Sequence, residues 1–320
     1  MDVLLSIQEI SKQFGHKTVL SKISLDLPSQ GLVGLVGPNG SGKTTLLKIM
    51  ANMLSSDQGL VAIKGSAHLP HKQARHCISY IDQDPALDPE LSAYEMLQLF
   101  STLYALPRAR ISEKINEVIV GFSLQDFLHT PCARLSGGQR QRVHIAIGML
   151  SDAPAIFFDE PTRGMDAHIQ NDFWQYIAQV KTTKLLVVVS HDLEKIQDYC
   201  DYVYLLSKGR ILTHGSPSNL LQNHQRTRVE LAFEKNNFPN QDTIAKIKEN
   251  SSAQDLHVSP HALHFFMQGD SYRLPHWVES MEHIAKVHRY GPSIREIFFY
   301  QTGETIQAKP EHGKTKKGRR

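Results

Sequence analysis

Residues Gly37-Pro38-Asn39-Gly40-Ser41-Gly42-Lys43-Thr44 are the most informative segment of this chain, because they have every position of a phosphate-binding loop. The apolar run of residues 31–36 precedes it, and the helix-like segment 45–50 follows it. A buried strand, the loop and a helix start are the context that this motif requires. The sequence therefore predicts an α/β core of the phosphate-loop NTPase class, and a simple glycine-rich turn before a helix is the disfavoured alternative.

The residue types of the loop suit phosphate binding. Glycines let backbone N–H groups point inward, where they and the positive end of the helix dipole meet the phosphates. Lys43 is expected to reach the β- and γ-phosphates, and the Thr44 hydroxyl to ligate Mg²⁺. The residues expected to bind the nucleotide here are Gly37, Pro38, Asn39, Gly40, Ser41, Gly42, Lys43, Thr44 and Thr45.

Two acidic residues, Asp159 and Glu160, end the apolar run 155–158. Such a run predicts a central parallel strand that delivers carboxylates to the carboxyl edge of a sheet, where ligands bind. Asp159 is placed to hold Mg²⁺, mostly through water, and Glu160 to act as the general base on the attacking water. In isolation this pattern is more often an ordinary strand end before a helix cap, but the phosphate loop favours the catalytic interpretation.

A third motif, Leu135-Ser136-Gly137-Gly138-Gln139, gives the first two their context. With it, residues 3 to about 225 resemble the ATP-binding subunit of an ABC transporter, with each expected element once and in order. The resemblance implies that Asp166 lies in a loop crossing a dimer interface. It also implies that the signature residues of this chain cap the γ-phosphate of ATP held by the opposite subunit. These residues are Ser136, Gly137, Gly138 and Gln139.

The resemblance assigns three more residues to the site. Phe14 corresponds to the aromatic residue that stacks on adenine, although a Phe near a turn is as often a core residue. Gln83 matches the glutamine that touches Mg²⁺ or the attacking water and hinges toward the membrane partner. His191 follows an apolar strand and matches the histidine that contacts the γ-phosphate. The alternative is a surface or capping histidine without a catalytic role, as expected for most histidines of the chain. Residues 163–165 read Arg-Gly-Met instead of the common Ser-Ala-Leu.

The chain has one phosphate loop and one signature, and these single copies bear on how it assembles into a dimer. If the signature serves a nucleotide bound by another copy, two such domains must meet head to tail. We therefore expect an ATP-dependent homodimer, or a heterodimer with a related ATP-binding subunit, that hydrolysis reopens. Closure would exclude water and add a preorganised positive site to the phosphoryl transfer.

Composition indicates a globular protein: 320 residues, 41% apolar and 21% charged, are enough for two domains with real cores. No apolar run approaches the roughly 18–20 residues that span a bilayer, and the start lacks a secretion signal. We expect a cytoplasmic protein, peripheral on the inner face of the cell membrane, that needs separate membrane-spanning permease subunits. Cys77, Cys132 and Cys200 are widely spaced, which predicts reduced thiols.

The predicted organisation has three parts. Residues 1–225 form the nucleotide-binding domain, with an antiparallel β subdomain and a helical subdomain at about 85–134. Residues 226–305 form a small ferredoxin-like α+β domain of order βαββαβ, with helices at 242–249 and 277–285. Its segment 291–299 resembles the terminal helix of export-type ATPases of the drug, antibiotic-resistance and sodium-efflux kind. The basic tail 306–320 is expected to be solvated and disordered, or else to rest on anionic lipid or nucleic acid.

Three functions are compatible with these features. The favoured one is an ATPase subunit that powers transport, in the export direction, through membrane partners. The second is an ABC ATPase acting on nucleic acid or ribosomes; it is disfavoured because such relatives carry two nucleotide-binding domains or long coiled coils, and only the basic tail supports a nucleic-acid partner. The third is a regulatory module with negligible turnover, against which the intact Glu160 and His191 count.

Overall fold

The structure, a computed structural model, describes residues 2–66, 76–224, 226–233, 239, 244–245, 254–259, 262–268, 278 and 283–303. The strands are β1 (Val3–Phe14), β2 (Lys17–Pro28), β3 (Gly31–Val36), β4 (Gln58–Ile63), β5 (Ile78–Ile81), β6 (Ala155–Asp159), β7 (Leu185–Val189), β8 (Tyr202–Ser207), β9 (Arg210–Gly215), β10 (Arg226–Phe233), β11 (Gln254–Val258), β12 (Ala262–Gln268) and β13 (Ile284–Tyr290). The helices are α1 (Lys43–Met50), α2 (Ala93–Leu103), α3 (Arg108–Gly121), α4 (Gly137–Met149), α5 (Ala167–Val180), α6 (Leu193–Tyr199), α7 (Pro217–Asn223) and α8 (Ile294–Thr302). No helix in these ranges is long and apolar enough to cross a membrane.

The central layer is a six-stranded sheet of order β5-β6-β7-β3-β8-β9, parallel except for β9. Its middle strands are continuous apolar runs because both faces are buried. Along β6, Ile156 and Phe158 enter the core on the helical side, whereas Ala155 and Phe157 enter the core on the other side. The predicted α/β core is confirmed.

A three-stranded antiparallel sheet of order β2-β1-β4 covers one face of the central sheet together with α1. Its long strands β1 and β2 form a hairpin that turns at Gly15, whose φ of 58° favours glycine. Leu5 and Ile7 from this sheet share a core with Val33 and Phe157 of the central sheet. This is the antiparallel β subdomain that the fold class predicts.

Helices α2 and α3 occupy the segment predicted to be helical. Helix α2 begins with a capping box in which the Ser92 hydroxyl accepts from the Glu95 N–H and the Glu95 carboxylate accepts from the Ser92 N–H. Helix α3 buries Ile115, Val118 and Ile119 in the same core as α4. The apolar residues at helical spacing in this segment therefore form part of the local hydrophobic core.

The C-terminal strands form a separate antiparallel sheet of order β11-β12-β10-β13. Strands β10 and β11 are thus parallel with β12 between them, and β12 and β13 are parallel with β10 between them, as in a split βαβ unit. Most of the two predicted helices lies outside the described residues, although Ile244, Ala245 and Val278 are helical. The predicted end of the second helix at Ala285 is wrong, because β13 already pairs with β10 at Ile284.

The terminal helix α8 contacts both parts of the chain. Ile294, Ile297 and Phe298 belong to the core formed by the helices of the nucleotide-binding part. On its other side, the Glu296 carboxylate pairs with the Arg228 guanidinium of β10, and both side chains are buried. Helix α8 therefore joins the C-terminal sheet to the rest of the described chain.

Candidate nucleotide-binding and hydrolysis site

The carboxyl ends of four adjacent parallel strands bring most of the predicted site together. The phosphate loop follows β3, and Gln83 follows β5. Asp159 ends β6 with Glu160 directly after it, and His191 follows β7. Because the strand order is β5-β6-β7-β3, these four segments meet at one edge of the sheet. The edge combines a phosphate-binding loop with carboxylates and an imidazole.

Close packing explains two glycines of the phosphate loop. A Cβ at Gly37 would lie 2.0 Å from the Leu206 carbonyl oxygen, so no larger residue fits. Gly42 has a φ of 105°, and a Cβ there would lie 2.7 Å from Leu20. Gly42 is also the N-cap of α1 and supplies no capping side chain. The first N–H groups of α1 therefore remain suited to an anion.

Lys43 begins α1 and points back into the loop. Its Nζ donates to the carbonyl oxygens of Gly37 at 2.8 Å and Pro38 at 3.0 Å. Burial lowers the pKa of Lys43 from its ordinary value, while the nearby charges of Glu160 and Asp159 act in the opposite direction. The ammonium group thus lies in the loop, close to Asp159 at the end of β6 and to Glu160 after it.

Asp159 is almost fully buried, with 1% of its surface exposed. Its Oδ2 accepts a hydrogen bond from the Tyr80 hydroxyl at 3.2 Å. Burial raises the pKa of Asp159, and the nearby hydroxyls of Thr44 and Tyr80 oppose that shift. Within the described part of the chain, Asp159 Oδ1 is a buried oxygen without a hydrogen-bond partner.

These oxygens fit the predicted Mg²⁺ site. Magnesium prefers carboxylate, hydroxyl and phosphate oxygens and retains several waters, so few protein ligands are needed. The unpartnered Asp159 Oδ1 and the exposed Thr44 provide such oxygens. Among the residues with described positions, no group of three or more His, Cys, Asp or Glu could hold a metal ion.

Glu160 and His191 form a close pair. Glu160 Oε1 lies 2.8 Å from His191 Nε2, and both side chains are mostly buried. Glu160 has a φ of 52°, an unfavourable left-handed conformation for this residue, and its N–H donates to the Val189 carbonyl oxygen at 3.0 Å. Within the described ranges, His191 Nδ1 is buried without a hydrogen-bond partner. The structure therefore brings the predicted base and the predicted histidine together.

The segment leading to Gln83 has contacts that the sequence did not predict. The Gln83 N–H donates to Asp82 Oδ1 at 2.8 Å, and Lys48 Nζ of α1 lies 3.3 Å from Asp82 Oδ2. His144 Nε2 of α4 lies 3.2 Å from the Asp82 carbonyl oxygen. These contacts tie the residue before Gln83 to both α1 and α4. No motif marks Lys48, Asp82 or His144.

Phe14, the predicted adenine platform, lies at the end of β1 and is 51% exposed. The Lys12 ammonium is 5.5 Å from its ring centroid. Asp57 accepts hydrogen bonds from Lys12 Nζ at 2.7 Å and from the Gln13 N–H at 2.6 Å. An exposed ring with a fixed backbone is compatible with stacking on a base.

Among the described residues, the signature residues form hydrogen bonds among themselves and with their own helix, and not with the phosphate loop. Ser136 is the exposed N-cap of α4 and forms a capping box with Gln139. Asp166 caps α5 by accepting from the Ile169 N–H at 3.0 Å. Within the described chain, no hydrogen bond or ion pair joins residues 135–139 to residues 37–45.

The sequence is similar to those of known proteins. The family described as ABC transporter matches residues 20–163. An uncharacterised ABC transporter ATP-binding protein, YdbJ of Bacillus subtilis, is 32% identical over 71% of this chain and 74% of its own length. The Nod factor export ATP-binding protein I of Rhizobium sp. is 26% identical over 95% of this chain and 99% of its own.

A solved structure agrees with this result. The structure described as an ATP binding subunit of an ABC transporter has a TM-score of 0.64 and 25% identity, and the alignment covers 69% of this chain and 92% of that one. The phosphate loop, the acidic strand end and the signature occur in the order that this family requires. The chain belongs to the ABC transporter family, among its ATP-binding proteins.

Proposed function

We propose that this ABC-type ATPase powers export through separate membrane-spanning partner subunits. The observation that carries the proposal is the 2.8 Å contact between Glu160 and His191 at the sheet edge that also holds the phosphate loop and Asp159. The export direction is supported by the Rhizobium relative, which aligns with nearly the whole chain and is named an export ATP-binding protein.

The phosphate loop holds ATP in this proposal. The Lys43 ammonium exchanges its loop carbonyl partners for the β- and γ-phosphates, and the N–H groups at the start of α1 face the same oxygens. Phe14 stacks on the adenine ring, and Thr44 with Asp159 and Gln83 holds Mg²⁺. When bound, Mg²⁺ neutralises charge on the transferring phosphoryl group.

Glu160 acts as the general base. Its carboxylate orients the attacking water and accepts a proton from it, while His191 holds the carboxylate through Nε2 and approaches the γ-phosphate. The unfavourable backbone conformation of Glu160 is compatible with a functional position, because strained residues persist where the surrounding structure fixes them. Gln83 senses the γ-phosphate region and transmits changes toward the membrane partner.

The signature acts in trans. Ser136 and Gly137 are exposed and stand at the N-terminus of α4, so they can meet a phosphate on another subunit. Asp166 lies in the neighbouring exposed loop, where a second subunit would make contact. A head-to-tail dimer, with an identical or a related subunit, thus completes two sites.

The remaining parts serve assembly at the inner face of the membrane. The helical segment 85–134 faces the permease subunits, and residues 226–305 form an accessory domain of the cytoplasmic side. Helix α8 links that domain to the nucleotide-binding part. One side of the helix packs in the helical core, and on the other side Glu296 pairs with Arg228 of β10. The basic tail 306–320 lies outside the described residues.

The test is to purify the chain from detergent-solubilised membranes under mild conditions and to identify what accompanies it by mass spectrometry. A stoichiometric multi-spanning protein that stimulates ATP hydrolysis in reconstituted vesicles is the expected result. Ribosomal proteins or nucleic acid, with no membrane protein, would instead support the alternative soluble function.

A further inference from the structure

Tyr80 lies next to the acidic strand end, although no motif includes it. In the parallel pairing of β5 with β6, Tyr80 is opposite Phe157. Alternate residues of a strand share a face, so Asp159 lies on the same face as Phe157, two residues closer to the ligand-binding edge. The Tyr80 hydroxyl reaches along this face and donates to Asp159 Oδ2 at 3.2 Å.

The position of the Tyr80 ring is fixed by its neighbours. The ring packs against the core on the α1 side of the sheet, to which Phe157 also belongs. The Lys48 ammonium of α1 lies 5.7 Å from the ring centroid and is itself held by Asp82 at 3.3 Å. With the ring in this position, the hydroxyl lies within hydrogen-bond distance of Asp159 Oδ2.

This contact distinguishes the two oxygens of the Asp159 carboxylate. Oδ2 is held by Tyr80, whereas Oδ1 is buried and has no hydrogen-bond partner within the described residues. A carboxylate fixed through one oxygen cannot rotate freely, so the other oxygen keeps one direction. Outer partners of this kind orient metal-binding carboxylates in proteins.

We propose that Tyr80 is a positioning residue, which holds Asp159 through Oδ2 so that Oδ1 faces the Mg²⁺ of the bound nucleotide or a water on it. This inference rests on the proposed nucleotide site. It assigns to Tyr80 a role in the metal-dependent part of nucleotide binding, separate from the contacts that the loop makes with phosphate.

The experiment measures binding of a non-hydrolysable ATP analogue by calorimetry, in Mg²⁺ and in EDTA, for the wild type and Tyr80→Phe. Because Tyr80 acts on the ligand only through Asp159, its loss should weaken binding in Mg²⁺ about fivefold to tenfold, less than the loss of a direct charge-assisted hydrogen bond, and should leave binding in EDTA unchanged. Tyr204→Phe is the matched control, because Tyr204 belongs to the same sheet and its hydroxyl donates to the Asp26 carbonyl oxygen at 2.9 Å. It should change neither affinity.

A double-mutant cycle with Asp159→Asn sharpens the test. If Tyr80 acts through Asp159, Tyr80→Phe should add less than about twofold to the loss already caused by Asp159→Asn. An additive loss would overturn the inference, and so would equal weakening in Mg²⁺ and EDTA or an unaffected Tyr80→Phe variant. A wild-type protein that shows no Mg²⁺-dependent nucleotide binding would instead refute the proposed function.

Discussion

The two halves of the candidate site satisfy their polar groups differently. The phosphate-loop half comprises residues 37–45, Gln83, Asp159, Glu160 and His191. Its two acidic side chains are mostly buried, with Glu160 in contact with His191 and Asp159 in contact with Tyr80. The signature half comprises residues 136–139 and Asp166, which lie near the surface. There, Ser136 and Gln139 cap each other's backbone, and Asp166 caps α5.

Within the part of the chain that the structure describes, the phosphate-loop half contains buried polar atoms without hydrogen-bond partners, whereas the signature half has complete helix caps. Buried polar atoms without partners are costly, and the phosphate-loop half has three of them in the described structure: Ser41 Oγ, Asp159 Oδ1 and His191 Nδ1. The signature half is stable as it stands because its caps are complete. We therefore expect the first half to bind nucleotide within one subunit, and the second to act only when another subunit approaches.

The largest expected effect comes from removing the base of the phosphate-loop half. Glu160→Gln should lower ATP turnover about 10²- to 10⁴-fold, the usual contribution of general-base catalysis, and should leave ATP binding intact. Phosphate release measures turnover, and light scattering after chromatography measures the ATP-bound dimer, which should persist. Turnover at the wild-type rate would refute the assignment of Glu160.

Lys43→Ala should weaken the binding of ATP, whereas Glu160→Gln should affect only its hydrolysis. Lost charge-assisted hydrogen bonds to phosphate are worth about 1.5–3 kcal/mol, which corresponds to about 10- to 100-fold weaker ATP affinity. Calorimetry with ATP checks this, and Lys114→Ala is the control, since Lys114 lies on α3 and pairs with Glu117 of the same helix. Unchanged ATP affinity in Lys43→Ala would contradict the role of the loop lysine.

Ser136→Ala probes the signature half and has a matched control elsewhere. Ser136 and Ser92 both close capping boxes, so either alanine variant should lose about 1 kcal/mol of stability. Only Ser136→Ala should also reduce ATP-driven dimerisation and turnover, by about tenfold, because one donor to the partner's phosphate is removed. Equal turnover in both variants would remove the signature from the site.

The smallest effect concerns His144, which joins the two halves through the Asp82 carbonyl oxygen. Burial lowers the pKa of His144 below its ordinary value of 6.5, despite the opposing contributions of Asp82. The unfolded chain therefore binds the proton more readily, and the free energy of unfolding should fall as the pH decreases below 6.5 toward the folded pKa.

His144→Gln tests this, because the amide can still donate to the carbonyl oxygen but does not titrate. Thermal unfolding between pH 7.5 and 5.5 should depend less on pH in this variant than in the wild type. Other histidines contribute to the wild-type slope, so the difference between proteins is the measured quantity.

Much of the fold followed from local patterns. Apolar runs of residues 31–36 and 185–189 predicted buried strands, and helical spacing predicted α3. Less reliable were element ends: β13 begins at Ile284, because pairing with Phe233 of β10 outweighs the helical pattern of the preceding residues. The residues around Gln83 and Asp159 could not be predicted, since Lys48, Tyr80 and His144 meet partners far away in the sequence.

The chemistry of the site can be read from short sequence motifs. Glycine spacing, a lysine, two acids after an apolar strand and the signature pentapeptide identify the family because each has a local geometric requirement. The side chains that support that chemistry depend on the tertiary structure: the contact of Glu160 with His191, the bond from Tyr80 to Asp159, and the position of α8 between the helical core and Arg228 of β10. Those contacts depend on strand order and register, which bring distant segments to one edge and which no local pattern encodes.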